Sequence, residues 1–265
     1  MRCSRCRWEA VHIQRYSGLA FCGSHLTEDV EAKARREIRD EGGIRPGDRI
    51  AIALSGSPES IALAHFLHRT FGGRRDLSFF ALATDGEDRG FSPPADTEAA
   101  ARSPGLEWLP ILQGEGGGIP AGDANREVRT AGESTDPRAR AREVAALRAG
   151  ATVLVLGDCL ENLAGQVLAQ VMRGEVPEGN RQPALRTLTP FRRIPGEEVR
   201  LYGRVLGVVQ GNTACRAAGD GPEDLAASLL SDHASRHPSA PHALLRLWDS
   251  LRLPDEEPEP RAGEG

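Results

Sequence analysis

The chain has 265 residues, 39% of them hydrophobic and 27% charged, enough for one large domain with small appendages and a sizeable core. A mean hydropathy of −0.39, with apolar runs no longer than Ile50–Leu54 and Ala151–Leu156, excludes a spanning helix of about 20 apolar residues. A formal net charge of −5 excludes a uniformly basic nucleic-acid binder but leaves room for a local basic face, and Lys33 is the only lysine among the 33 basic residues.

Residues 1–26 hold three of the five cysteines and read as a small cross-linked module. Met1–Cys6 carries no apolar stretch of signal-peptide type, so the chain is expected to begin here and to stay in the cytoplasm, with its thiols reduced. Thr27 is expected to cap a helix running to about Asp40, with Val30, Ala34 and Ile38 on one face and Gly42-Gly43 ending it, so that residues 27–47 form a linker helix.

From Asp48 the pattern alternates strand and helix: strands over Arg49–Leu54, Leu77–Thr84, Leu106–Leu112 and Ala151–Leu156, and helices over Glu59–Phe71, Arg138–Ala149 and Cys159–Met172. This order predicts an α/β domain over residues 48–210, a parallel sheet with helices on both faces and ligands at the carboxyl ends of its strands. Gln113–Glu133 reads as a Gly-rich mobile loop, residues 211–253 as a helical region, and residues 254–265 as a disordered acidic tail.

The spacing Cys3-x2-Cys6, fifteen residues, then Cys22-x2-His25 is that of a structural zinc knuckle. Four such ligands complete a tetrahedron and leave no open position, so the expected role is structural. Ser55, Gly56, Ser57 and Ser60 lie between a hydrophobic strand and a helix, where backbone N–H groups and the helix dipole favour an anion. Phosphate binding and a purely structural turn both remain open there. Gly157 and Asp158 end the fourth strand. Cys159 and Cys215 are the two thiols outside the finger, and arginines cluster at Arg35, Arg36 and Arg39, at Arg138, Arg140 and Arg142, and at Arg192 and Arg193.

In this order the pieces resemble tRNA 2-thiouridine synthetases of the TtuA type, within the PP-loop ATP pyrophosphatase superfamily. The likeness rests on the Cys3, Cys6, Cys22, His25 finger with Tyr16 and Leu19-Ala20-Phe21 inside it, and on Arg45-Pro46-Gly47-Asp48-Arg49 before the strand Ile50–Leu54. It continues through Asp85-Gly86, Gly150–Leu154, Val171–Gly174, Pro190-Phe191, Glu197–Val199 and Leu201-Tyr202. The resemblance implies a PP-loop (HUP-type) α/β fold plus a zinc finger, with ATP and Mg used to adenylate a tRNA uridine before sulfur replaces its oxygen. Ser55, Gly56, Ser57, Ser60, Asp85, Gly157 and Asp158 would hold the nucleotide, and Cys215, Cys159 and Arg138 would serve the chemistry.

The departures from the family pattern are specific. Ser57, Pro58 and Glu59 stand where the family has Gly, Lys and Asp; Ala131 and Ser134 stand where it has two cluster cysteines, with Cys215 matching the third. Arg138 replaces a lysine, and no histidine accompanies Gly157 and Asp158. An iron–sulfur cluster is therefore not expected, and thiolation by the usual route is expected to be weak or absent. The alternative is a non-catalytic subunit that binds tRNA or a partner. tRNA, a sulfur-carrier protein, an active paralogue or a second copy of the chain are the partners this reading implies, with no membrane.

Overall fold

The computed structural model describes residues 1–83, 106–110, 137–175, 185–209 and 222–251. The expected Gln113–Glu133 loop, the 254–265 tail, Asp85 and Cys215 lie outside them. An antiparallel hairpin opens the chain, β1 (His12–Ile13) paired with β2 (Ala20–Phe21). Helix α1 (Gly23–Asp40) follows, then β3 (Arg49–Leu54), α2 (Pro58–Phe71), β4 (Ser78–Ala83) and β5 (Glu107–Pro110). The remainder is α3 (Pro137–Arg148), β6 (Val153–Val155), α4 (Leu160–Met172), β7 (Arg186–Leu188), α5 (Gly196–Val205), α6 (Pro222–Arg236) and α7 (Ala240–Leu251). No helix among the described residues is long and apolar enough to cross a membrane.

Strands β3 to β7 form one parallel sheet in the order β5-β4-β3-β6-β7. Strand β3 is apolar at every position after Arg49 because both of its faces are buried. Ile50, Ile52 and Leu54 face a core shared with Leu63, Phe66 and Leu67 of α2, whereas Ala51 and Ala53 face Ala145 and Ala146 of α3. Pro110 is tolerated because β5 is an edge strand.

The predicted linker helix is corrected in two respects. Helix α1 starts at Gly23, with Cys22 as its N-cap, while the Thr27 hydroxyl donates to the Gly23 carbonyl at 3.0 Å rather than capping. Its Leu26, Val30, Ala34 and Ile38 then lie in the same core as β3 and α2, so the helix is an integral layer and not a tether.

At the amino edge of the sheet, Asp48 accepts from the Arg45 backbone N–H (2.7 Å), the Thr152 hydroxyl (2.8 Å) and Arg186 Nη2 (2.6 Å). Desolvation pushes its carboxyl upward, but these donors outweigh it and hold the pKa below the usual carboxylate value. One buried acid thereby joins β3, β6 and β7 at the edge opposite the expected site. At the other edge the chain leaves β3 toward β4 and β5, then returns to the far side as β6 and β7. The gap between the carboxyl ends of β3 and β6 is therefore the topological switch point, where open α/β sheets hold ligands.

Candidate functional site: a metal centre and the sheet switch point

The turn closed by the Arg2–Glu9 bridge and the start of α1 bring the four predicted ligands together. Their donor atoms all lie within 4.8 Å of one another: Cys3 Sγ to His25 Nδ1 is 3.5 Å, Cys22 Sγ to His25 Nδ1 3.3 Å, and Cys6 Sγ to Cys22 Sγ 3.6 Å. Metal–sulfur bonds of about 2.3 Å in a tetrahedron give edges of this size. The Cys3 N–H donates to the Trp8 carbonyl at 2.9 Å, which closes the turn carrying the first pair. Desolvation raises the Cys3 pKa, but backbone N–H donors from Arg5, Cys22 and Cys6 outweigh it and bring it down to about 6. Cys6 shifts upward: the Trp8 backbone lowers it, but desolvation and the neighbouring thiols Cys22 and Cys3 raise it more. One thiol of this group is thus set up to bind as thiolate near neutrality, and the donor set fits a metal.

At the switch point Gly56 has φ +76°, a left-handed conformation that favours glycine. Ser57 is the N-cap of α2, its Oγ accepting from the Ser60 N–H at 3.2 Å, and Pro58 occupies N1. The Ser55 hydroxyl donates to Ser57 Oγ at 3.2 Å, and the Ser60 hydroxyl to the Ser57 carbonyl at 2.8 Å. Of the first three helical positions, one has no N–H and another is already capped. Proline at N1 costs the helix nothing, but it removes a donor that an anion could have used.

The loop after β6 rests directly on this turn. A Cβ built on Gly157 would stand 3.1 Å from Ser60 Cα and 3.3 Å from its nitrogen, so a larger residue would push the two segments apart by a few tenths of an ångström. Burial raises the Asp158 carboxyl pKa, with the Arg142 cation opposing. Cys159 is fully buried as the N-cap of α4, its Sγ donating to the Gly157 carbonyl at 3.7 Å; closed off from solvent, it is unsuited to handing sulfur to another molecule. Arg138 falls in the first turn of α3, and its side chain lies outside the described residues, as do Asp85 and Cys215.

Four of these clustered arginines are paired with nearby carboxylates. Arg35 pairs with Glu31 (3.3 Å) and Arg36 with Asp40 (3.6 Å), while Arg192 and Arg193 share Asp249 at 2.7 and 3.1 Å.

Sequence reasoning missed a polar network between the hairpin, α1 and α5. Glu198, 1% exposed, accepts from Gln14 Nε2 (3.0 Å) and from the Tyr16 hydroxyl (3.3 Å), and lies 3.7 Å from both His12 Nε2 and Lys33 Nζ. Lys33 Nζ also donates to the Tyr16 oxygen at 2.7 Å. A second missed pair links the switch point to α5: Arg200 meets the buried Glu59 at 2.7 Å, and the Gly196 N–H donates to Glu161 at 2.8 Å. The one available signal was the single lysine in an arginine-rich chain.

Residues 2–27 match the family described as 2-thiouridine synthetase TtuA, N-terminal LIM domain. The tRNA 2-thiolation protein NcsA of Haloferax volcanii is 35% identical over 89 residues, 31% of this chain but 27% of its own length. Cytoplasmic tRNA 2-thiolation protein 1 of Bos taurus is 27% identical over 98% of this chain and 80% of its own, and the tRNA-5-methyluridine(54) 2-sulfurtransferase of Thermus thermophilus 27% identical over 95% and 79%. The solved U34-tRNA thiolase NcsA from Methanococcus maripaludis, with its [4Fe-4S] cluster, superposes with a TM-score of 0.74 at 17% identity, covering 95% of this chain and 87% of that one. In sequence and fold the chain therefore resembles the tRNA 2-thiolation proteins and has the PP-loop α/β fold.

The cofactor expectation is corrected by these findings. The solved thiolase of the same fold carries an iron–sulfur cluster, against the expectation drawn from Ala131 and Ser134, and Cys3, Cys6 and Cys22 bring three thiols together here.

Proposed function

We propose that this chain serves tRNA 2-thiolation in the cytoplasm, holding tRNA beside the N-terminal metal module and ATP at the β3–β6 switch point. Uridine adenylation is slower than in a loop that keeps all of its phosphate-facing donors. The observation that carries the reading is the contact of Gly157 with Ser60, which seats one motif of the resemblance on another at the place where parallel sheets bind ligands. Ser55, Gly56 and Ser60 border the phosphates, with Asp158 toward the rest of the nucleotide. Cys3, Cys6, Cys22 and His25 hold a metal that fixes the N-terminal turn to α1; with all four positions filled by protein, it acts on structure.

The slowing follows from the turn itself. Ser57 occupies the Ser60 N–H and Pro58 supplies none, so a bound phosphate loses hydrogen bonds worth roughly 1.5–3 kcal/mol each to a charged acceptor. Cys215 is the thiol we assign to receiving sulfane sulfur from a persulfide on a carrier protein, whose own thiol leaves as the new persulfide forms, since Cys159 is buried.

The same capping favours a second reading, a subunit that binds tRNA and an active paralogue without chemistry. Calorimetric titration with ATP, with and without tRNA, followed by assay of pyrophosphate release, separates the two. Micromolar ATP binding with tRNA-dependent pyrophosphate supports the first reading. tRNA binding without ATP binding supports the second, and failure to bind tRNA at all overturns both. Elemental analysis of the purified chain identifies the metal, and an apo chain that folds equally well refutes the module's assignment.

A further inference from the structure

Away from the switch point, a cavity of about 300 Å³ opens between the hairpin, the start of α4 and α7. None of its lining residues belongs to the Ser55–Ser60 turn. Leu160 and Leu245 give it an apolar wall, and Tyr16 and His242 an aromatic corner with ring centroids 4.8 Å apart at 57°. The Tyr16 ring is held from behind by Lys33 and Glu198, so this corner is formed before any ligand arrives. His242 Nε2 is buried without a hydrogen-bond partner, an arrangement that costs stability.

Cations dominate the polar side of the cavity. Arg193 is already shared between Glu37 and Asp249, but Arg246 has no carboxylate partner among the described residues. Burial, aided by Lys33, Arg246 and Arg193 and opposed by Glu198, holds the His242 imidazole below its ordinary pKa. Flat apolar and aromatic walls beside an uncompensated guanidinium suit a planar ring bearing an anionic group. Ligand pockets span roughly 300–1,000 Å³, so this one has room for a single nucleotide and not for two.

We infer that this cavity binds one nucleoside monophosphate, its base against Leu160, Leu245 and the Tyr16–His242 corner and its phosphate toward Arg246. The nucleotide comes either free from solution or from an RNA strand that projects one residue into the cavity. The site is separate from the ATP site assigned above, and its occupation does not depend on that assignment.

The test is calorimetry of the full chain with uridine monophosphate, uridine, inorganic phosphate and a short single-stranded oligouridylate. Saturable binding of the monophosphate or of the oligonucleotide is expected, with uridine and phosphate at least ten-fold weaker; which of the two binds identifies the source. Arg246→Ala, at an exposed position, should weaken that binding about ten-fold and leave ATP titration unchanged, and His242→Phe should weaken it while keeping the ring. Equal binding by the Arg246→Ala chain, uridine binding as tight as its monophosphate, or no binding by any probe overturns the inference, and tRNA binding that survives such a result leaves the proposed function standing.

Discussion

The metal quartet and the switch-point turn are built alike, each at the N-terminus of a helix, yet they treat their polar atoms in opposite ways. Cys22 caps α1 through the backbone alone and makes no side-chain cap bond, which leaves its sulfur aimed at Cys6 and His25. Ser57 caps α2 with its side chain and also accepts from Ser55, so its oxygen is spent on the fold. A helix start keeps its capacity for a ligand only while the cap leaves donors and ligand atoms over. The first region has retained that capacity and the second has given part of it up.

The largest effect that can break this comparison lies in the quartet. Cys22→Ser should abolish stoichiometric metal and cost several kcal/mol, because binding free energy at such sites is folding free energy. Thermal unfolding with metal analysis checks it, and an unchanged melting temperature would show that the four donors converge without a metal. Next comes the support beneath the switch point. Arg200→Ala removes the guanidinium that meets the buried Glu59 and should destabilise by up to about 3 kcal/mol, read by denaturant unfolding. Gly157→Ala drives a Cβ into Ser60, at about 1–3 kcal/mol, and should weaken ATP binding more than tRNA binding.

Smaller effects sharpen the contrast. Ser57→Gly frees the Ser60 N–H at a cost of only a few tenths of a kcal/mol. It should tighten ATP about ten-fold if the capped donor is what limits phosphate binding, and calorimetry decides. The smallest effect concerns His12, whose imidazole is raised above its ordinary 6.5 by the Glu198 carboxylate 3.7 Å away, against desolvation. A raised folded-state pKa stabilises below the unfolded value, and the stabilisation fades as pH climbs through the folded one. His12→Gln should therefore cost under about 1 kcal/mol at pH 6, less at pH 9, with solvent screening already allowed for. A pH-independent difference between the two unfolding series would dissociate His12 from Glu198.

What could be read from the sequence follows the range of the interaction. Strand β3 ends where its apolar run ends, and α2 starts one residue before the expected Glu59 because Pro58 fits N1. The four ligands of the metal site were legible because they lie in two short pairs. Thr27 looks like a cap in the sequence, whereas Cys22 is the cap and His25 already lies in the first helical turn of α1. Strand β7 has three residues, too few to show a period, and the acidic first turn of α5 hides its apolar face. Tyr16 and Glu198 stand 182 residues apart, and nothing local in either segment announces that they meet.

The single lysine has a practical consequence. Lys33 lies where the hairpin, α1 and α5 meet, with its side chain 30% exposed. Apart from the chain's α-amino group, amine-directed reagents have only this side chain to modify. Reductive methylation with ¹³C-formaldehyde would therefore install one side-chain NMR reporter, beside that of the α-amine, that keeps its positive charge. Its chemical shift would follow metal loss in the finger and occupation of the neighbouring cavity from a single side chain, without a cysteine label competing for the metal ligands.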